Sequence, residues 1–373
     1  PVLHSFRLPV GLDYIKLPCL GRDRAGKMAA KYLRTDVDEA VKLRSDIIKM
    51  AAVSFQPDLF LIDKKPYGLL GELKETLDHL KTEEPHTKFV LLLRDILDSP
   101  EATMQDWQKN DYHRAIASFY DRILVVGMPK IFDVAREYQF PEDVAEKVRY
   151  CGYIRREPGR KSRQQMRQVL QIQPDEKLVL VTPGGGGDGE DIIKAYLQGF
   201  AQHHPGHKIK SSIICGPEMF PSQREELQKI ARQSPQVEFC EFTDDLASYM
   251  DASDAVVSMG GYNTICELLS YSKRAVIIPR THPVQEQWIR AERMEKFGLF
   301  KAIHPDRLTP QNLMNAVREQ LSYEKNHLPP VSRLDLNALF RVEKEICELL
   351  WGGAECSLYF AKMTHRFDFI PTN

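Results

Sequence analysis

The segment Asp254-Ala-Val-Val-Ser-Met-Gly-Gly-Tyr-Asn-Thr-Ile-Cys-Glu267 constrains the fold most. It reads as a strand of the buried kind, a Gly260-Gly261 turn, and a helix that carries Glu267. In an open α/β sheet such a junction lies at the carboxyl end of the strand, where ligands bind and the first helical amides face negative charge. The Thr264-x-x-Glu267 spacing sets both side chains on one side of the first helical turns. A carboxylate there can accept hydrogen bonds from a ribose, while Thr264 and nearby amides meet phosphate. The competing reading of Glu267 is an ordinary exposed helix residue.

Two further segments repeat the pattern. Lys177-Leu-Val-Leu-Val-Thr-Pro-Gly-Gly-Gly-Gly-Asp-Gly189 is a short apolar strand that ends in a glycine run and opens a helix predicted over 190–202. Glycines let a backbone approach a pyrophosphate and permit positive φ, so the amides of Gly185, Gly186 and Gly187 are candidate phosphate contacts; a flexible turn is the alternative. Downstream, Ala275-Val-Ile-Ile-Pro-Arg-Thr-His-Pro-Val-Gln-Glu-Gln287 is a strand and a proline-marked loop, with a helix expected from about Val284. Three strand-to-helix loops thus converge.

Apolar runs alternate with amphipathic segments along the chain, which implies α/β architecture with mostly parallel sheets. Strands are expected at 14–17, 59–63, 89–94, 123–127 and 148–152, and again at 178–182, 211–215, 237–242, 255–258 and 275–279. Helices are expected at 37–54, 70–81, 112–120 and 131–138. The charged Arg156-Glu-Pro-Gly-Arg-Lys161 lacks apolar periodicity and reads as the linker. The resulting division is a first Rossmann-like domain at 1–154, a second at 162–325, and a tail at 326–373 with a helix at 334–351.

Composition narrows the classes. A chain of 373 residues is long for one core and suits two α/β domains. Its 51 basic and 52 acidic residues give a formal charge of −1, so no global field favours nucleic acid or an anionic bilayer. Seven scattered cysteines show no ligand-like spacing and read as reduced thiols, which points to the cytoplasm. The sequence holds no apolar run of the roughly 20 residues a spanning helix needs, although peripheral membrane contact stays open.

The order of these features resembles the donor-binding domain of GT-B glycosyltransferases. It is similar in particular to family 28, the group of the MurG-type N-acetylglucosaminyltransferases and their MurG-like predicted relatives. The likeness rests on the glycine loop, Phe242-Thr-Asp-Asp-Leu-Ala-Ser-Tyr-Met250, Ser253-Asp254, Gly260-Gly261 with Thr264 and Glu267, then Gln285-x-Gln287 and Ala291. Gln56-Pro-Asp-Leu-Phe-Leu-Ile-Asp63, Leu92-Leu-Arg-Asp-Ile96 and Val148-Arg-Tyr-Cys-Gly-Tyr153 extend it upstream. The resemblance implies a GT-B fold, two Rossmann-like domains facing a cleft, and a metal-independent hexosyltransferase. Its donor would be a UDP-linked sugar, its acceptor an unidentified hydroxyl, and no separate cofactor would be required. It also implies a first strand and a Gly-x-Gly-His loop, whereas this sequence opens with Pro1-Val-Leu-His4 and matches the family's third-strand region. The first domain is therefore expected to be incomplete at its start, with His4 no substitute for that loop.

The chemistry suggests further candidates. A departing diphosphate needs positive charge: the amides of Gly185 to Gly187, Gly260 and Gly261, with Arg280 and Arg290. Thr243 would meet a base through its main chain. Gln285 and Gln287 face the donor or act as surface and capping residues, since two positions two apart cannot both face it. Asp63 and Asp95, at strand ends, are eligible as the base, and for Asp63 capping of the next turn competes. The pairs Asp188/Asp191 and Asp244/Asp245 lack the further ligands a metal requires. Tyr262 either stacks on a base or packs, and His282 reads as a loop residue. Two other functions fit the same donor fold. One is a UDP-sugar 2-epimerase, and the other is a non-catalytic donor-binding or partner-dependent subunit.

Overall fold

The computed structural model describes residues 10–22, 27–203, 208–323 and 329–367. His4 and the last residues, 368–373, lie outside them. The chain divides into two compact units, one of Pro1–Leu91 with Arg114–Arg122, the other of Leu92–His113 with Ile123–Asn373.

The first unit opens with an antiparallel ribbon of β1 (Leu20–Arg22) and β2 (Met28–Ala30). Residues 14–17, expected as a strand, carry no regular structure. Tyr14 and Ile15 there are exposed. Helix α1 (Val37–Phe55) starts where Asp36 accepts the Glu39 amide at 2.8 Å. It stops at Gln56, which takes a left-handed conformation before Pro57. Strand β3 (Leu59–Asp63) follows, then α2 (Lys74–Glu83). The next strand, β4 (Lys88–Arg94), carries the chain from the first unit into the second.

Helix α3 (Pro100–Lys109) went unpredicted, although Ser99 caps it and Pro100 occupies its first turn. After α4 (Tyr112–Phe119) come β5 (Arg122–Val126), the one-turn helices α5 (Val134–Glu137) and α6 (Glu142–Ala145), and β6 (Val148–Tyr150). Strands β5 and β6 pair in parallel, Ile123 opposite Val148. Residues 131–138, expected as one helix, keep only a single turn.

The second unit is dominated by a six-stranded, wholly parallel sheet. Helix α7 (Arg163–Val169), closed by a Ser162/Gln165 capping box, leads into it. Chain order then runs β7 (Lys177–Thr182), α8 (Glu190–His203), β8 (Ile209–Ile214), α9 (Pro221–Ala231), β9 (Val237–Cys240) and α10 (Leu246–Ala252). It continues through β10 (Ala255–Ser258), α11 (Tyr262–Ser270), β11 (Ala275–Ile277), α12 (Glu286–Lys296), β12 (Lys301–Ala302) and α13 (Pro310–Ser322). The spatial order is β12-β11-β10-β7-β8-β9, so β7 and β10 are central and meet at Val256 opposite Leu180. Both strands are buried on both faces, which explains their unbroken apolar runs. Ile193, Tyr196 and Phe200 of α8 pack with Leu313 and Val317 of α13 over Val181 and Val257. This packing carries the side of the sheet that supports the glycine loop.

The expected linker is well anchored. Arg156 donates its amide to the Ser270 hydroxyl at 2.8 Å, and the Arg160 and Lys161 amides bond Asp245 and Ser248 at 3.1 and 2.9 Å. A Cβ on Gly159 would collide with Ser248, so the loop lies flush on α10. The tail helix α14 (Ala338–Phe367) runs longer than expected and breaks at Gly352, whose φ is 78° and ψ 165°. Ahead of it, Tyr153 donates its amide to Asp335 at 2.8 Å and accepts from Ala338 at 3.3 Å.

Candidate functional site

The three loops expected to converge leave the carboxyl ends of β7, β10 and β11, which are adjacent in the sheet. Gly184 and Gly186 take positive φ, 79° and 96°, so the glycine run has a defined backbone shape. The run also has a neighbour that sequence reasoning missed. A Cβ on Gly186 would collide with the Cys215 carbonyl, and one on Gly216 with the Gly184 and Gly185 carbonyls. The loop after β8 therefore presses backbone to backbone on the glycine run, and Glu218 donates its amide to Gly185 O at 2.8 Å. The Cys215-Gly216-Pro217 triplet just past a strand end was the available signal.

The second loop lies beside the first. A Cβ built on Gly184 would stand 3.9 Å from the Thr264 hydroxyl. Gly261 is the N-cap of α11 and offers no side-chain cap, so the first amides of the helix are left for an external acceptor. Space around Gly261 is open, whereas Gly260 is wedged with its Cβ position 2.9 Å from Gln287 O. Glu267 is half-buried, and burial, only partly offset by Arg156, raises its carboxyl above the ordinary range. Among the described residues neither the Thr264 hydroxyl nor the Glu267 carboxylate has a hydrogen-bond partner in the chain. Arg156 is committed elsewhere, donating to Asn263 at 2.7 Å.

The third loop separates residues that the sequence could not. Gln287 is buried and its side-chain carbonyl accepts the Arg280 amide at 3.1 Å, which makes it the brace of the loop. Gln285 is exposed at the N-cap of α12, where its amide donates to Asp98 at 2.8 Å. The Arg280 guanidinium reaches Asp188 at 3.3 Å, linking the third loop to the first. Its Nε is buried without a partner. Thr243 sits in the loop after β9, its hydroxyl accepting the Asp245 amide at 3.1 Å, next to an exposed Phe242. His282 is exposed. Asp244 pairs with Arg160, and Asp245 is held by Ser248 at 2.7 Å.

Beneath the corner lies a knot of buried charge. Arg290 is fully buried and donates to both oxygens of Asp95 at 2.9 to 3.1 Å, to Gly260 O at 2.7 Å, and pairs with Glu286 at 2.7 Å. Burial pulls its pKa down, but Asp95 and Glu286 outweigh that and hold it above its ordinary value. Asp95 is likewise fully buried, and Tyr153 donates to it at 3.3 Å. Tyr262 stacks on Tyr153 with centroids 6.2 Å apart, so it packs inside the protein and offers no face to a base. Arg290 is thus a structural cation saturated by its partners, and Asp95 is its counter-ion, closed off from solvent. Asp63 is exposed at the end of β3 in the first unit.

Among the described residues no helix is long and apolar enough to cross a membrane. Every one of the seven cysteines is a free thiol.

Comparison with known proteins speaks to the fold and the family. Solved glycosyltransferases and epimerases of the GT-B class share the fold. The 2-epimerase of Neisseria meningitidis, bound to UDP-GlcNAc, superposes with a TM-score of 0.56 over 85% of this chain and 83% of its own, at 14% identity. By fold, then, the chain is of the GT-B class. Residues 178–341 match the glycosyltransferase family 28 C-terminal domain, and the chain carries that domain. An uncharacterized glycosyltransferase of Methanosarcina mazei is 26% identical over 225 residues, 60% of this chain and 54% of the relative. The UDP-N-acetylglucosamine–N-acetylmuramyl-(pentapeptide) pyrophosphoryl-undecaprenol N-acetylglucosamine transferase of Haemophilus influenzae is 28% identical over 144 residues, 39% of this chain and 40% of that enzyme. The chain spans about half the length of the curated relatives it matches first.

Proposed function

We propose that this chain is a glycosyltransferase that binds a UDP-linked sugar on the loops after β7, β10 and β11 and transfers the sugar to a hydroxyl acceptor. The observation that carries this reading is the corner at Gly261, Thr264 and Glu267. Its uncapped helix amides, its unpartnered hydroxyl and its half-buried, unpartnered carboxylate all await a ligand. A diphosphate would take the amides of α11 and of Gly185 to Gly187, with Thr264 and Arg280 beside it. The ribose hydroxyls would donate to Glu267, and the base would lie near Thr243. Gln287 would hold the Arg280 loop in place, with Gln285 at its rim. Residues 162–325 would form the donor-binding domain.

In the reaction the acceptor oxygen forms a bond to the anomeric carbon as the bond from that carbon to the diphosphate oxygen breaks. The bonding pair leaves with UDP, and the acceptor proton passes to a base. The helix dipole and Arg280 stabilise the charge that grows on the leaving diphosphate. Asp95 is assigned to positioning, through Arg290, which donates to both Asp95 and the Gly260 carbonyl.

Calorimetric titration of the full chain with UDP tests the binding step, and no detectable binding would overturn the proposal. Product analysis with UDP-GlcNAc tests the chemistry: UDP release that requires an added acceptor supports transfer. An epimerised sugar nucleotide formed without acceptor would instead establish the 2-epimerase, whose fold this chain shares.

A further inference from the structure

At the amino-terminal end of the six-stranded sheet, where β7, β10 and β11 begin, lies a cavity of about 270 Å³. Arg163, Lys177, Lys273 and Arg274 line it, against a single lining carboxylate, Asp254. That carboxylate is already neutralised by Arg163 at 2.6 Å and Arg167 at 3.0 Å, and it also accepts the Leu178 amide at 2.8 Å. Asp251 reaches Lys273 at 3.6 Å from outside the lining, which leaves two cations in excess, four against two. We propose that this pocket binds a compact phosphate dianion, free or as the phosphate group of a small metabolite, at a site separate from the three donor loops.

The cations are held in place. Lys273 is buried, with its ammonium donating to the Asp251 and Ser253 carbonyls at 2.6 and 3.2 Å. Burial first, and Arg163 second, lower its pKa to about 8 against the opposing pull of Asp251 and Asp254. The Arg274 guanidinium carbon sits over the Tyr323 ring, 3.9 Å from its centroid. Stacking occupies the face of a guanidinium and leaves its edge donors free, the geometry that receives two oxygens of a phosphate side by side. Lys177 opens β7 at the rim and forms no ion pair among the described residues. The pocket holds a phosphate and a few carbons, and Arg163 and Lys273 are fixed before a ligand arrives, which limits the ordering that opposes binding.

The test is calorimetry and thermal unfolding of the full chain at constant ionic strength, with inorganic phosphate in one arm and a hexose 1-phosphate in the other. Saturable binding of either is expected, and which arm binds more tightly distinguishes a free anion from a metabolite. Arg274→Gln and Lys177→Gln should each weaken it by about tenfold or more, the value of a charged hydrogen bond. Thr264→Val and Glu267→Ala, at the donor corner, should leave it unchanged. Absence of saturable binding in the native chain would overturn the proposal. So would unchanged affinity in both Arg274→Gln and Lys177→Gln, or loss in Thr264→Val. Lys177 sits at the rim and its variant should fold even if Arg274→Gln does not.

Discussion

Two polar clusters share Gly260 and the start of α11, yet they are opposite in character. In the knot, Arg290 and Asp95 are both fully buried, and every strong donor of the guanidinium has an acceptor. In the corner, the Glu267 carboxylate is half-buried, only partly offset by Arg156 and without a hydrogen bond among the described residues, and the amides of α11 have no side-chain cap. A desolvated charge that is fully paired holds structure together, whereas one left without a partner marks where a ligand completes the set. Sequence alone made both Arg290 and Glu267 candidate ligand contacts, the one for a diphosphate and the other for a ribose.

The largest effect should come from breaking the knot. Arg290→Met leaves Asp95 as an uncompensated buried charge and should cost about 3–5 kcal/mol in denaturant unfolding. Adding Asp95→Leu should recover most of that loss. A single variant as stable as the native chain would show that the pair is not the strut described.

In the corner, Glu267→Ala should weaken UDP binding by about 1.5–3 kcal/mol while leaving the fold intact. Native affinity in this variant would remove Glu267 from the site. The same residue has a pH signature. Its folded pKa is raised by burial, so the folded state is favoured at low pH, and that advantage is lost as pH rises through the folded pKa. Glu267→Gln should therefore be more stable than the native chain near neutrality, and the gap should close below the ordinary carboxylate range.

Next in size, Gly186→Ala places a side chain where φ is 96° and the Cys215 carbonyl blocks it. It should lower stability by about 1–3 kcal/mol and impair UDP binding with it. Full UDP affinity there would mean that the glycine run does not shape the site. Smallest of all, excess chelator should leave UDP affinity unchanged, because helix amides and Arg280 supply the positive charge. Affinity that fell with chelator and returned with Mg²⁺ would transfer the role to Asp188 and Asp191.

Much of the second unit was legible, because parallel strands buried on both faces leave unbroken apolar runs. The segments 178–182, 211–215 and 255–258 sit within a residue or two of β7, β8 and β10. Segment 14–17 misled because Tyr14, Ile15 and Leu17 have the composition of a strand, yet the segment carries no regular structure. The Pro-Gly of Arg156–Lys161 signalled a break in periodicity but not that Gly159 lies against Ser248. At the site, Gly260-Gly261, Thr264 and Glu267 could be read as one unit because a single helical turn brings them together. Gly216 and the separate fates of Gln285 and Gln287 could not, because they depend on contacts made across the sheet.

What the sequence determined by itself is local: the parallel strands, the glycine turns that follow them, and the helix register that sets Thr264 beside Glu267. Periodicity and backbone permissiveness act over a few residues, so they survive without knowledge of the rest of the chain. Only the tertiary structure decided which charges are paired. Asp95 and Arg290 stand 195 residues apart in the chain. Their union, the neutralisation of Asp254, and the solitude of Glu267 are matters of distance and desolvation, which no spacing along a sequence encodes.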